Sequence, residues 1–164
     1  MSTNNLARVG LLLGTVIVGL LFGAVGHAFG DDGLSAGETV YVPVYSHIYV
    51  AIKGHPFDLA ISLSIRNTDL TEPITVLSVA YYDSNGKLVR KYLEKPSEIK
   101  PLASADFFVS ETDTAGGFGA SFLVRWKSTK KVNQPIIEGV MAGTKSGQGI
   151  SFTSRGRAIR EKSD

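Results

Sequence analysis

Two glycine-rich segments and a pair of histidines carry the chemistry this chain could offer. Gly33-Leu34-Ser35-Ala36-Gly37 spells the G-x-S-x-G pattern of serine hydrolases. That pattern activates serine where a strand-to-helix turn lifts the hydroxyl above a parallel sheet. Here no helical periodicity follows it and no strand–helix alternation surrounds it, so the segment reads as a linker. Gly143-Thr144-Lys145-Ser146-Gly147-Gln148-Gly149 resembles a phosphate cradle. A P-loop, however, needs four residues between its first glycine and Gly-Lys-Ser/Thr, and a helix whose N-terminus faces the phosphate. The spacing fails and a strand follows, which predicts a hairpin loop. Asp83-Ser84-Asn85-Gly86 places its glycine two positions too early for a calcium loop.

The imidazoles are His27, His47 and His55. His47 and His55 could share a cation with Asp58 or Met141 if the loop after Ile52 folds back. Two histidines fall short of the three or four ligands that zinc sites use, so no metal site and no cofactor is assigned. The chain has no cysteine, which excludes thiol catalysis, iron–sulfur clusters, cysteine zinc sites and a lipid anchor on a processed cysteine. An exported domain without disulfides must be stabilised by packing.

The elements that would position these residues divide into two parts. Val9–Gly30 holds one histidine and no charge, with Arg8 before it and Asp31-Asp32 after it. As a helix, about 20 such residues rise roughly 30 Å and can enter a bilayer, and the single arginine favours a cytoplasmic N-terminus. Residues 1–30 are therefore an export element, either a retained anchor or a signal peptide cleaved after Gly26-His27-Ala28. The rest of the chain is expected to be inner-membrane anchored facing the periplasm, or periplasmic after cleavage. Past residue 30 the chain carries 16 lysines and arginines against 15 acids, which leaves no electrostatic footprint for nucleic acid. Basic residues do gather at Arg125, Lys127, Lys130 and Lys131, and again at Arg155, Arg157, Arg160 and Lys162; both clusters are read as solvated.

From Glu38 onward apolar residues mostly recur with period two and turn signals arrive every 8–14 residues. That is the signature of an antiparallel sandwich or barrel. Thr39–Tyr45 is a first strand marked by Pro43, with His47–Ile52 as its continuation. Leu59, Ile61, Leu63 and Ile65 share one face of the cleanest strand; Asn67-Thr68-Asp69 closes it by side-chain turn chemistry. Ile74–Asp83 is apolar on both faces and Asn85-Gly86 turns it into a hairpin. Trp126 alternates inward with Phe122 and Val124, and a polar loop is expected over 128–134. The predicted fold is an immunoglobulin-like or fibronectin-like antiparallel sandwich of seven to eight strands over 38–155. It follows the N-terminal export helix and a 31–37 linker, and precedes a charged flexible tail over 156–164.

Tyr41-Val42-Pro43-Val44-Tyr45-Ser46-His47-Ile48-Tyr49 and Leu63-Ser64-Ile65-Arg66-Asn67-Thr68-Asp69 resemble a bacterial family catalogued as domain of unknown function 3124. The likeness continues through Tyr81-Tyr82-Asp83, Gly116-Gly117-Phe118-Gly119-Ala120, Val124-Arg125-Trp126 and Gly149-Ile150-Ser151-Phe152. The resemblance implies an exported envelope protein. It supplies no activity and no catalytic residues.

These readings converge on a non-enzymatic envelope domain that meets the membrane through its N-terminal segment and binds another envelope protein or a small ligand. The alternative is a carrier of metal or small ligand using His47 and His55. The binding candidates are Tyr45 and His47, beside the bend that Pro43 marks, with Arg66 and Asn67 at the end of the best-defined strand. Each also suits a structural role, as a buried tyrosine hydrogen bond or a turn cap.

Overall fold

The computed structural model describes residues 33–50, 54–145 and 147–160; the expected export helix over 1–30 lies outside them. Every element in the described residues is a strand. In chain order these are β1 Leu34–Pro43, β2 His47–Val50, β3 His55–Asp58, β4 Ala60–Arg66, β5 Ile74–Tyr82 and β6 Leu88–Lys91. They continue as β7 Ser97–Ile99, β8 Ser104–Val109, β9 Ser121–Asn133, β10 Ile136–Lys145, β11 Gln148–Arg155 and β12 Arg157–Ile159. One sheet has the order β12-β1-β9-β5-β6, with β7 also on β5; a second has the order β11-β10-β4-β8. The β2-β3 pair stands apart. All pairings are antiparallel.

Both sheets contribute to one core. Val40 and Val42 of β1, Val76 and Val79 of β5, and Phe122, Val124 and Trp126 of β9 meet Ile61, Leu63 and Ile65 of β4 and Ile137 and Met141 of β10. The alternation read on β4 is the burial seen, with Ile61, Leu63 and Ile65 enclosed while Ser62 and Arg66 face solvent. The period-two pattern thus fixes which face turns inward, because successive side chains leave a strand on opposite sides.

Three segments expected to be irregular are strand instead. Leu34–Gly37 continues β1 through a bulge and pairs with the far end of β9, so residues 128–133 are strand and no polar loop forms there. A Cβ at Gly37 would sit 2.8 Å from the Trp126 carbonyl oxygen, so only glycine lets the bulged backbone close onto β9. Arg157–Ile159, in the expected tail, pairs with Thr39–Tyr41 of β1. Edge strands need only backbone partners, so a polar or charged sequence forms them without any apolar period. The described residues therefore hold twelve strands where seven to eight were expected. The Asn85-Gly86 turn forms with Gly86 alone at positive φ (75°). Asp83 Oδ1 accepts from the Asn85 and Lys87 N–H groups at 2.9 Å and holds the turn closed.

Candidate functional site

At the end of β1 the chain leaves the sheet in a short stitched segment. Val44 N–H donates to the Ala120 carbonyl at 2.9 Å, Ser46 N–H to Gly117 at 3.2 Å, and Leu59 N–H to Ser46 at 2.9 Å. The Ser46 hydroxyl is buried and donates to the Gly117 carbonyl at 3.1 Å. These bonds hold the 116–120 loop against residues 44–46. Glycine is required there: a Cβ at Gly116 would overlap the Tyr81 hydroxyl, and Gly117 has φ +76°. The loop lays Phe118 across the aromatic side chains of the neighbouring segment.

The result is a continuous chain of rings. Phe152 of β11 lies 5.8 Å from Tyr45, Tyr45 lies 5.2 Å edge-on from Phe118, and Phe118 stacks on Tyr49 at 5.7 Å. His47 completes it, 5.1 Å from Tyr49 and 6.4 Å from Phe118. Tyr49 is 60% exposed and Phe118 47%. Tyr45 and Phe152 are half-buried against the core and His47 is half-buried beside them, so the open part of the cluster is the Tyr49–Phe118 stack. Asp58 stands opposite His47 in the β2-β3 register and brings one carboxylate to the same face.

Of the four residues singled out from sequence, Tyr45 and His47 belong to this surface; Arg66 and Asn67 do not. Leu59, bonded to Ser46, precedes β4, and Arg66 ends it, which separates the two pairs by about 20 Å of strand. Asn67 is 2% exposed. Its Nδ2 donates to the carbonyls of Glu72 (2.9 Å), Ile99 (3.2 Å) and Lys100 (3.2 Å), and its Oδ1 accepts from Asp69 N–H at 3.0 Å. Asn67 is thus an internal clasp, enclosed where a ligand does not reach it. Arg66 is largely exposed, with Nε donating to Ser64 Oγ at 3.1 Å and a long 3.8 Å contact to Glu138.

The same end carries Asp69, which sequence inspection passes over as turn chemistry. Its Oδ1 accepts from Thr71 N–H and Glu72 N–H at 3.0 Å each, and its Oδ2 from Asn133 N–H at 3.1 Å. Those backbone donors, Thr71 first, hold the carboxyl down at about 2, against the opposing push of burial. A folded-state value below the unfolded one stabilises the fold above the ordinary carboxylate range, and that contribution is lost as pH falls through 3.8 toward 2. Asp69→Asn should therefore destabilise the chain at pH 6, with the gap to the parent narrowing steadily between pH 4 and 2. Urea denaturation of both proteins across that range checks it; a gap independent of pH would show that the carboxylate charge does no work.

The histidine pair does not converge. His47 faces Asp58 and His55 faces Val50 in the β2-β3 ladder, so the imidazoles leave opposite faces of the hairpin about 10 Å apart along it. Met141 is fully buried in the core. Among the described residues no three histidine, aspartate or glutamate side chains gather as a metal group. Ser35 is equally unsuited to attack: its hydroxyl donates to the Gly37 carbonyl at 3.1 Å and accepts from Gly37 N–H at 3.2 Å within the β1 bulge. The 143–149 segment is the β10–β11 hairpin, closed by the Lys145–Gln148 pair with Gly147 at φ +77°.

Strand order and site together define an all-β antiparallel protein with an aromatic surface at one end of its core. A family model described as Protein of unknown function (DUF3124) matches residues 37–159. The chain belongs to that family. A solved Thermotoga maritima protein, titled Thermotoga maritima 1070, is similar in structure at 13% identity and a TM-score of 0.44, over 73% of this chain and 92% of the other. Among curated proteins none matches.

Proposed function

We propose that the chain is an exported, membrane-associated module of the cell envelope that works by binding and not by catalysis. Its interaction surface is the ring cluster of Tyr45, His47, Tyr49, Phe118 and Phe152, and its partner is another envelope protein or a small ligand. The observation that carries this reading is the stacking of Tyr49 on Phe118 with both rings open to solvent. Rigid aromatic side chains bury much area at little entropic cost and dominate binding energy where they cluster. Export rests on the uncharged Val9–Gly30 segment. The scaffold is an immunoglobulin-like sandwich in its central pairings: β4 lies beside β8 and β5 beside β9, as strands B and E and strands C and F do in that fold. It departs at the margins, where β1 joins β9 and β10 joins β4. The alternative carrier role for His47 and His55 gains no support from the geometry, since the two imidazoles diverge.

Tyr49→Ala with Phe118→Ala, introduced together in the full chain, should cut recovery of its cross-linked membrane partner at least tenfold. That corresponds to about 1.4 kcal/mol or more, the scale of an interface hot spot. The thermal midpoint should stay within a few degrees of the parent, because neither ring is enclosed. Quantitative mass spectrometry of cross-linked membranes measures the first and calorimetry the second. Undiminished recovery at unchanged stability would remove the ring cluster from the interface.

A further inference from the structure

Most margins of the two large sheets are protected. β12 and β7 are three residues long, β6 carries Arg90 and Lys91, and β8 has Asp106 mid-strand and gives its Phe108 carbonyl to the Tyr92 hydroxyl at 3.2 Å. β11 has none of these defences. It pairs with β10 over all eight residues on one side, and among the described residues no strand lies on its other side. From Gln148 to Ser154 it has no charge and no proline, the usual devices against edge pairing. Its inward residues Ile150 and Phe152 pack on the core without being enclosed by it, while Gly149, Ser151 and Thr153 are exposed. A cleft of about 480 Å³ runs beside it, lined in part by Gly143, Thr144, Ile150 and Ser151.

We propose that β11 pairs antiparallel with β11 of a second copy of this chain, about a two-fold axis at Ser151, so that two four-stranded sheets become one. The strand is self-complementary in that register. Ile150 of each copy meets Phe152 of the other on the core side, Gly149 meets Thr153, and Ser151 meets itself on the solvent side. Each Arg155 falls opposite Gly147, so the strand's one charge never faces its own copy. Keeping inner faces together allows only registers whose axis lies on a residue. An axis at Phe152 sets Ile150 against Ser154, one at Ile150 sets Phe152 against Gln148, and one at Thr153 sets Ser151 against Arg155. Ser151 alone matches the apolar pair twice. Ladder hydrogen bonds then satisfy the open edge, and the contact is isologous and closes.

The absence of cysteine makes the test clean. Ser151→Cys in the full chain, purified in detergent and mildly oxidised, should give a disulfide-linked dimer, since directly opposed residues place their Cα atoms about 4.5–5.5 Å apart. Thr153→Cys should not, because its counterpart lies four residues along the ladder, about 13 Å away. Ser151→Lys sets two ammonium groups on the axis; it should convert a sedimenting dimer to monomer while leaving the thermal midpoint of the exposed-edge domain unchanged. A parent chain that sediments as monomer at every concentration, equal cross-linking at 151 and 153, or a dimer that survives Ser151→Lys would each overturn the proposal. The last outcome would move the contact to another part of the chain.

Discussion

Trp126→Ala should unfold about 10–20 °C below the parent chain, a loss of about 3–5 kcal/mol, the usual range for deleting a buried large aromatic from a domain of this size. The side chain is 2% exposed on β9, whose neighbours place Glu38 and Val76 directly opposite it. It is the largest enclosed side chain among the described residues. Its indole Nε1 is buried without a hydrogen-bond partner among those residues, so the loss comes from packing and the cavity left behind. β9 is also the strand on which β1 and β5 both pair, and a void there weakens both ladders at once. Thermal and urea denaturation followed by far-ultraviolet circular dichroism measure the loss. A change below about 1 kcal/mol would contradict enclosure of the ring.

How far the sequence spoke can be judged strand by strand. β4 and the inward triplet of β9 were legible because a half-buried strand must alternate, and alternation survives in the residue types. The opening residues of the first strand and the whole of the last were not legible. Leu34–Gly37 and Arg157–Ile159 are held by backbone pairing on a sheet margin, where no side chain needs to be apolar. The site shows the same division. Tyr45 and His47 were found through the bend at Pro43, but Phe118 arrives from a loop some 70 residues later, and only the fold brings its ring onto Tyr49. The one local hint was the glycine run around Phe118, which reads as a bend but serves close approach to Tyr81 and Ser84. Asn67 misled for a chemical reason. A short amide at a strand end is equally suited to a wet turn and to a buried clasp, and the choice depends on whether other backbone carbonyls close over it.

That choice gives the second large effect. Asn67→Ala should cost about 2–4 kcal/mol, while its neighbour Arg66→Ala stays within about 0.5 kcal/mol of the parent. Removing the Asn67 amide takes a donor from the buried Ile99 carbonyl and from the Glu72 carbonyl and leaves the Asp69 N–H without its acceptor, while the Lys100 carbonyl keeps the Ala103 N–H at 3.1 Å. A buried group left unpaired costs about 1–3 kcal/mol, and partial access to water at Glu72 and Lys100 keeps the sum below the full count. The clasp also positions Asp69, whose carboxylate ties the same turn to Asn133 of β9, so its loss loosens the contact between the two sheets at that end. Arg66 offers no such leverage: its guanidinium is solvated and its ion pair with Glu138 spans 3.8 Å. Urea denaturation of the two single variants separates them, and partner recovery from membranes supplies the decisive contrast. Asn67→Ala should lose recovery only in proportion to the folded fraction. If it lost recovery at unchanged stability, Asn67 would have to contact the partner, against its 2% exposure in the fold.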